Sequence, residues 1–123
     1  MSVPILRQGN VLIASVQSDL TDGQVLELRD ALTRLVGTPR AVAVVIDVAG
    51  MDVIDSFTAR SFRSIAEAAR LRGARTFVVG IRPDVAIALV HFDVDLTPLE
   101  TALDLDEALA RLDRPRNSQT HAR

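Results

Sequence analysis

The chain has 123 residues, 48% hydrophobic and 24% charged, with a formal net charge of -2. That is enough for one globular domain burying about two thirds of its unfolded surface, and the balance excludes the basic character of a general nucleic-acid or anionic-membrane binder. There is no cysteine, hence no disulfide, thiolate metal site or cysteine nucleophile. Aromatics make up 3%, with neither Trp nor Tyr, which leaves little for a base-stacking surface.

In chain order, Met1-Ser2-Val3-Pro4-Ile5 lacks the basic region and long apolar run of a signal peptide, and no apolar run reaches membrane-spanning length. A cytoplasmic protein is the expectation. Ile5-Leu6 and the apolar run at 11–16 flank Gln8-Gly9-Asn10, which reads as strand, tight turn, strand. Thr21-Asp22-Gly23-Gln24 has the form of a capping box, and Val25, Leu28, Leu32 and Leu35 recur at helical spacing until Gly37-Thr38-Pro39. The β-branched run at 42–48 reads as a strand covered on both faces. Phe62, Ile65, Ala66 and Ala69 then predict a helix ended by Gly73.

Residues 75–81 predict another buried strand, and Pro83 and Asp84 suit the first turn of a largely packed helix carrying Val85, Ile87, Ala88, Leu89, Val90 and Phe92. Residues 97–101 suit a short edge strand, and Asp104-x-x-Glu107 opens a final amphipathic helix through Leu105, Ala108, Leu109 and Leu112. Residues 1–113 thus form one domain, and the polar stretch 114–123 is expected to be a disordered tail. The order β-β-α-β-α-β-α-(β)-α predicts an α/β fold: a mostly parallel mixed sheet with an antiparallel hairpin edge and about four helices.

Function is expected at Asp52-Val53-Ile54-Asp55-Ser56-Phe57-Thr58-Ala59-Arg60, where a buried strand has emerged and a helix is about to begin. A serine hydroxyl there either caps the helix or stands open to phosphorylation, since a helix start favours a phosphate. Arg60, one turn beyond Ser56, is spaced to reach such a phosphate. Catalytic patterns do not occur: there is no HExxH, GxSxG, GxGxxG or P-loop. His91 falls on a packed-looking helix and His121 in the tail. Asp47, Asp52 and Asp55 cluster without a histidine or a full ligand set, so they read as caps and turn acceptors rather than a Mg²⁺ site. No metal or cofactor is expected. Five arginines (Arg60, Arg63, Arg70, Arg72, Arg75) and one acid lie at 57–75, against six acids and no base at 93–107. Such opposed charge either steers a partner and supports packing between copies, or marks two solvated helix faces.

These residues resemble the STAS domain family of bacterial anti-sigma factor antagonists. Three stretches, at 51–60, 80–90 and 101–105, resemble its stressosome branch, the RsbS type, in the right order over nearly the whole chain. The resemblance implies a non-enzymatic scaffold that assembles with itself and with RsbR-like STAS proteins, holding an RsbT-like serine/threonine kinase until phosphorylated. An RsbX-like phosphatase would reverse the mark. The phosphorylated serine carries onto Ser56, with Asp52, Asp55, Phe57, Thr58 and Arg60 as its surroundings. Simple antagonists follow the serine with Ser/Thr-Gly-Leu-Gly; here Phe57-Thr58-Ala59-Arg60 follows, which favours the stressosome branch over direct binding of an anti-sigma factor kinase. Asp93 stands where the RsbS-like pattern has glycine. A passive self-assembling scaffold, with Ser56 only capping, is the other reading.

Overall fold

Alternating apolar side chains in the central strands serve two cores, one on each face of a sheet. The computed structural model describes residues 3–37, 39–86 and 95–113. The expected tail, the packed part of the third helix with Ile87, Ala88, Leu89, Val90 and Phe92, and His91, Asp93 and His121 lie outside them. The elements are β1 (Ile5–Gln8), β2 (Val11–Ser15), α1 (Asp22–Leu35), β3 (Ala43–Asp47), α2 (Ser56–Leu71) and β4 (Arg75–Val79). There follow α3, described over its first turn at 83–86, then β5 (Glu100–Ala102) and α4 (Leu105–Asp113).

The sheet runs β1-β2-β3-β4-β5. β1 pairs antiparallel with β2, and every other neighbour is parallel. The Gly9 turn, at φ 60°, closes the predicted hairpin with Gln8 opposite Val11. Leu12, Ala14, Val44, Ile46 and Val78 point to the face covered by α1 and α2, where Leu28, Leu32, Phe62, Ile65 and Ala66 meet them. Val11, Ile13, Val45, Phe77 and Val79 point the other way, toward Ala108, Leu105, Leu109 and Leu112 of α4. Burial on both sides explains why β3 and β4 read as continuous apolar runs.

Two polar devices fasten the periphery. Thr21 Oγ1 accepts from the Gln24 amide at 3.2 Å while Gln24 Oε1 accepts from the Thr21 amide at 2.9 Å, the expected capping box. On the α4 side, Arg75 donates to both Glu100 oxygens at 2.7 and 2.8 Å, and to the Arg111 carbonyl at 3.2 Å. Both Arg75 and Arg111 lie over the Phe77 ring, at 5.0 and 5.5 Å. Glu100 hydrogen-bonds and attracts the Arg75 guanidinium, holding its pKa above the ordinary value.

That pair also revises the expected charge asymmetry. Arg75, counted in the basic stretch, is bound to Glu100, counted in the acidic one. Arg63 likewise donates to the Asp95 carbonyl at 3.4 Å and approaches Glu67 at 3.7 Å. Part of the asymmetry in sequence is therefore neutralised within the fold.

Candidate phosphoacceptor site at the start of α2

The connection from β3 to α2 alternates anchors with outward residues. Met51 and Ile54 are buried in the α1/α2 core, so Asp52, Val53, Asp55 and Ser56 face solvent. Gly50 makes this possible: a Cβ on it would stand 2.5 Å from the Gln17 backbone, so the connections after β2 and β3 touch main chain to main chain. Asp19, from the first connection, accepts from the amides of Asp52 at 2.8 Å and Val53 at 3.3 Å. Arg82, after β4, donates to the Asp52 carboxylate. Three connections at the carboxyl ends of parallel strands thus meet at Asp52 and Val53, just before Asp55 and Ser56.

Asp55, rather than Ser56, caps α2. Its backbone is extended (φ -82°, ψ 174°) and its Oδ1 accepts from the Thr58 amide at 2.8 Å. Hydrogen bonds from the Thr58 amide and hydroxyl, with the positive charge of Arg60, hold the Asp55 carboxyl below its ordinary pKa against a smaller opposing effect of burial. Ser56 is the first helical residue, exposed, and its hydroxyl makes no hydrogen bond among the described residues. The expectation that this hydroxyl caps the helix is corrected: the cap falls one residue earlier, at Asp55, whose carboxylate takes the Thr58 amide.

The other expected surroundings divide. Asp52, Asp55 and Arg60 are exposed, Phe57 is half-buried, and Thr58 is 3% exposed, serving the site through the cap rather than by facing a partner. Of the three clustered carboxylates, Asp47 accepts from the Ala49 amide at 3.0 Å, Asp52 pairs with Arg82 and Asp55 caps. No group of three His, Cys, Asp or Glu side chains among the described residues is placed to hold a metal ion. Sequence reasoning missed Asp19 and Arg82 as members of the site. Asp19 is 33 residues from Asp52, and no local pattern joins them.

A five-stranded mixed sheet with an antiparallel hairpin edge and helices on both faces is the STAS fold. The sequence pattern of the STAS domain matches residues 2–108, and the chain belongs to that family. It is 30% identical to a serine-to-glutamate variant of RsbS from Moorella thermoacetica, with TM-score 0.77, covering 89% of this chain and 93% of that one. It is 26% identical to a chain in a structure of the stressosome, a signal integration and transduction hub, with TM-score 0.70, over 96% of this chain and 99% of that one. Over 70 residues it is 34% identical to RsbRA of Bacillus subtilis strain 168, an RsbT co-antagonist protein. That match takes in 57% of this chain but spans only 26% of RsbRA's length. No helix among the described residues is long and apolar enough to cross a membrane.

Proposed function

We propose that this chain is an RsbS-type scaffold of a bacterial stress-signalling assembly, which holds an RsbT-like serine kinase and releases it when Ser56 is phosphorylated. The observation that carries the reading is the open Ser56 hydroxyl, free of the cap and of the core, on the first residue of α2. Similarity to RsbS and to RsbRA supports assembly with RsbR-like STAS proteins. The seryl oxygen takes the γ-phosphoryl group of ATP, losing its proton and leaving ADP. An RsbX-like phosphatase restores it by hydrolysis.

The physical effect is a change of charge in place. Phosphoserine adds about -1.5 to -2 units to a surface already holding Asp52 and Asp55. The helix start accommodates the anion, with the Ser56 and Phe57 amides not taken by the Asp55 cap, the dipole and Arg60 within one turn. Refolding is unnecessary; the docked kinase meets a dianion it was not shaped for. A loss of about 1.4 kcal/mol weakens it tenfold.

The test is binding of the kinase, by calorimetry, to the unmodified chain, to Ser56→Ala and to the enzymatically phosphorylated protein. The unmodified chain and Ser56→Ala are expected to bind alike and the phosphoprotein at least tenfold more weakly; equal affinity of all three removes the switch. Intact-mass measurement after incubation with kinase and ATP separates this reading from a passive scaffold, which would gain no phosphate at Ser56.

A further inference from the structure

We infer that Val53 is the side chain by which the kinase selects this protein, an apolar grip three residues before the serine it phosphorylates. This role rests on the proposed function, in which Ser56 is the phosphoacceptor. Val53 is 62% exposed, although it stands between Met51 at 2% and Ile54 at 7%. Single exposed aliphatic side chains are ordinary on a protein surface, so exposure alone assigns Val53 nothing. What singles it out is its mounting beside the open hydroxyl. Its own amide and that of Asp52 both donate to Asp19 Oδ1, at 3.3 and 2.8 Å. The Asp52 carboxylate accepts from Arg82, and Gly50 rests on the Gln17 main chain.

That mounting has two consequences for a surface closing over it. The segment is fixed by buried anchors on both sides of Val53, so seating the side chain in a pocket costs little of the ordering entropy that a free loop would lose. The polar groups around it are also paired before the partner arrives. An unpaired amide enclosed by an apolar wall would cost about as much as the contact gains; here Asp19 already holds both amides. Asp52 meets Arg82, so a covering partner encloses no lone carboxylate. The Ser56 hydroxyl, by contrast, has no hydrogen bond among the described residues and is left to the reaction. The segment thus separates two tasks, a valine to be gripped and a hydroxyl to be modified. The matching surface on the kinase is a shallow apolar pocket beside its phosphoryl-transfer centre. A contact made equally before and during the transfer lowers KM and leaves kcat alone.

Steady-state phosphorylation of the full chain by the RsbT-like kinase and ATP, with the modified residue located by mass spectrometry, tests this. Val53→Ala is expected to raise KM for the chain about fivefold or more, with kcat unchanged. Val53→Thr keeps the shape but puts a hydroxyl into the apolar pocket, and is expected to raise KM at least as far. Val53→Ile is expected to stay within about twofold of the unmodified chain. Leu71→Ala removes a side chain that is 84% exposed at the far end of α2, roughly 22 Å from Ser56 along the helix, and is expected to change neither constant. All four variants are expected to keep the urea midpoint within about 0.5 M of the unmodified chain. If Ser56 gains phosphate and the Val53 variants keep their KM, the grip is overturned while the proposed function stands. A fall in kcat at constant KM overturns it too, since Val53 would then position the serine rather than hold the kinase. An unmodified chain that gains no phosphate on Ser56 overturns both.

Discussion

At the scale of single residues, Asp55 and Ser56 stand side by side and do different work. The Asp55 carboxylate stabilises α2 by accepting from Thr58. Asp55→Ala should therefore cost about 1 kcal/mol in urea unfolding. Ser56→Ala should change stability by less than about 0.5 kcal/mol, because its hydroxyl is unbonded among the described residues. A cost at Ser56 equal to that at Asp55 would return the cap to the serine. The sign with pH follows from the lowered Asp55 pKa. Its contribution is complete above the unfolded carboxylate value of about 3.9 and is lost as pH falls through the lower folded value. Asp55→Asn should remove that part of the acid dependence, seen as a flatter stability profile below about pH 4. Thr76 is a residue of another kind: 2% exposed, with its hydroxyl unpartnered in the core. Thr76→Val should raise stability by about 1 kcal/mol, measured by urea midpoint.

Among the elements, the connections at the carboxyl ends of the strands are joined by contacts that no element makes alone. Asp19→Ala removes the acceptor for the Asp52 and Val53 amides. Hydrogen exchange at those two amides should quicken, while amides in the later turns of α2 keep their protection. Uniform quickening along α2 would mean that Asp19 supports the helix and not the connection. Here the limits of reading from sequence are plain. The hairpin, the capping box, the two buried strands and the helical stripes were legible because each is written in neighbouring residues. So was the strand-to-helix junction around Ser56. The exact start of α2 was not, since Asp55 and Ser56 are equally good cap types and only the hydrogen bond from the Thr58 amide to Asp55 tells them apart. Nor was the main-chain contact that requires Gly50, or the Arg82 pairing with Asp52, since both depend on tertiary approach.

For the molecule as a whole, the α4 side is held by the Arg75, Glu100, Phe77 and Arg111 group, which joins β4, β5 and α4. The Arg75 and Glu100 side chains are 14% and 21% exposed, so salt screens this pair weakly. Glu100→Ala should cost about 2 kcal/mol, nearly the same at low and high ionic strength, by urea unfolding in each.

The strand order carries one more consequence. From β2 to β5 each strand is added on the same side of the one before. Sheets that reverse direction part midway, and small ligands settle into the crevice opened there. Between β2 and β5 the strand order never reverses, so the described strands form no switch-point crevice, and Ser56 stands exposed at their carboxyl edge. Under the proposed function the kinase reads that edge by straddling it rather than by inserting a group into a crevice.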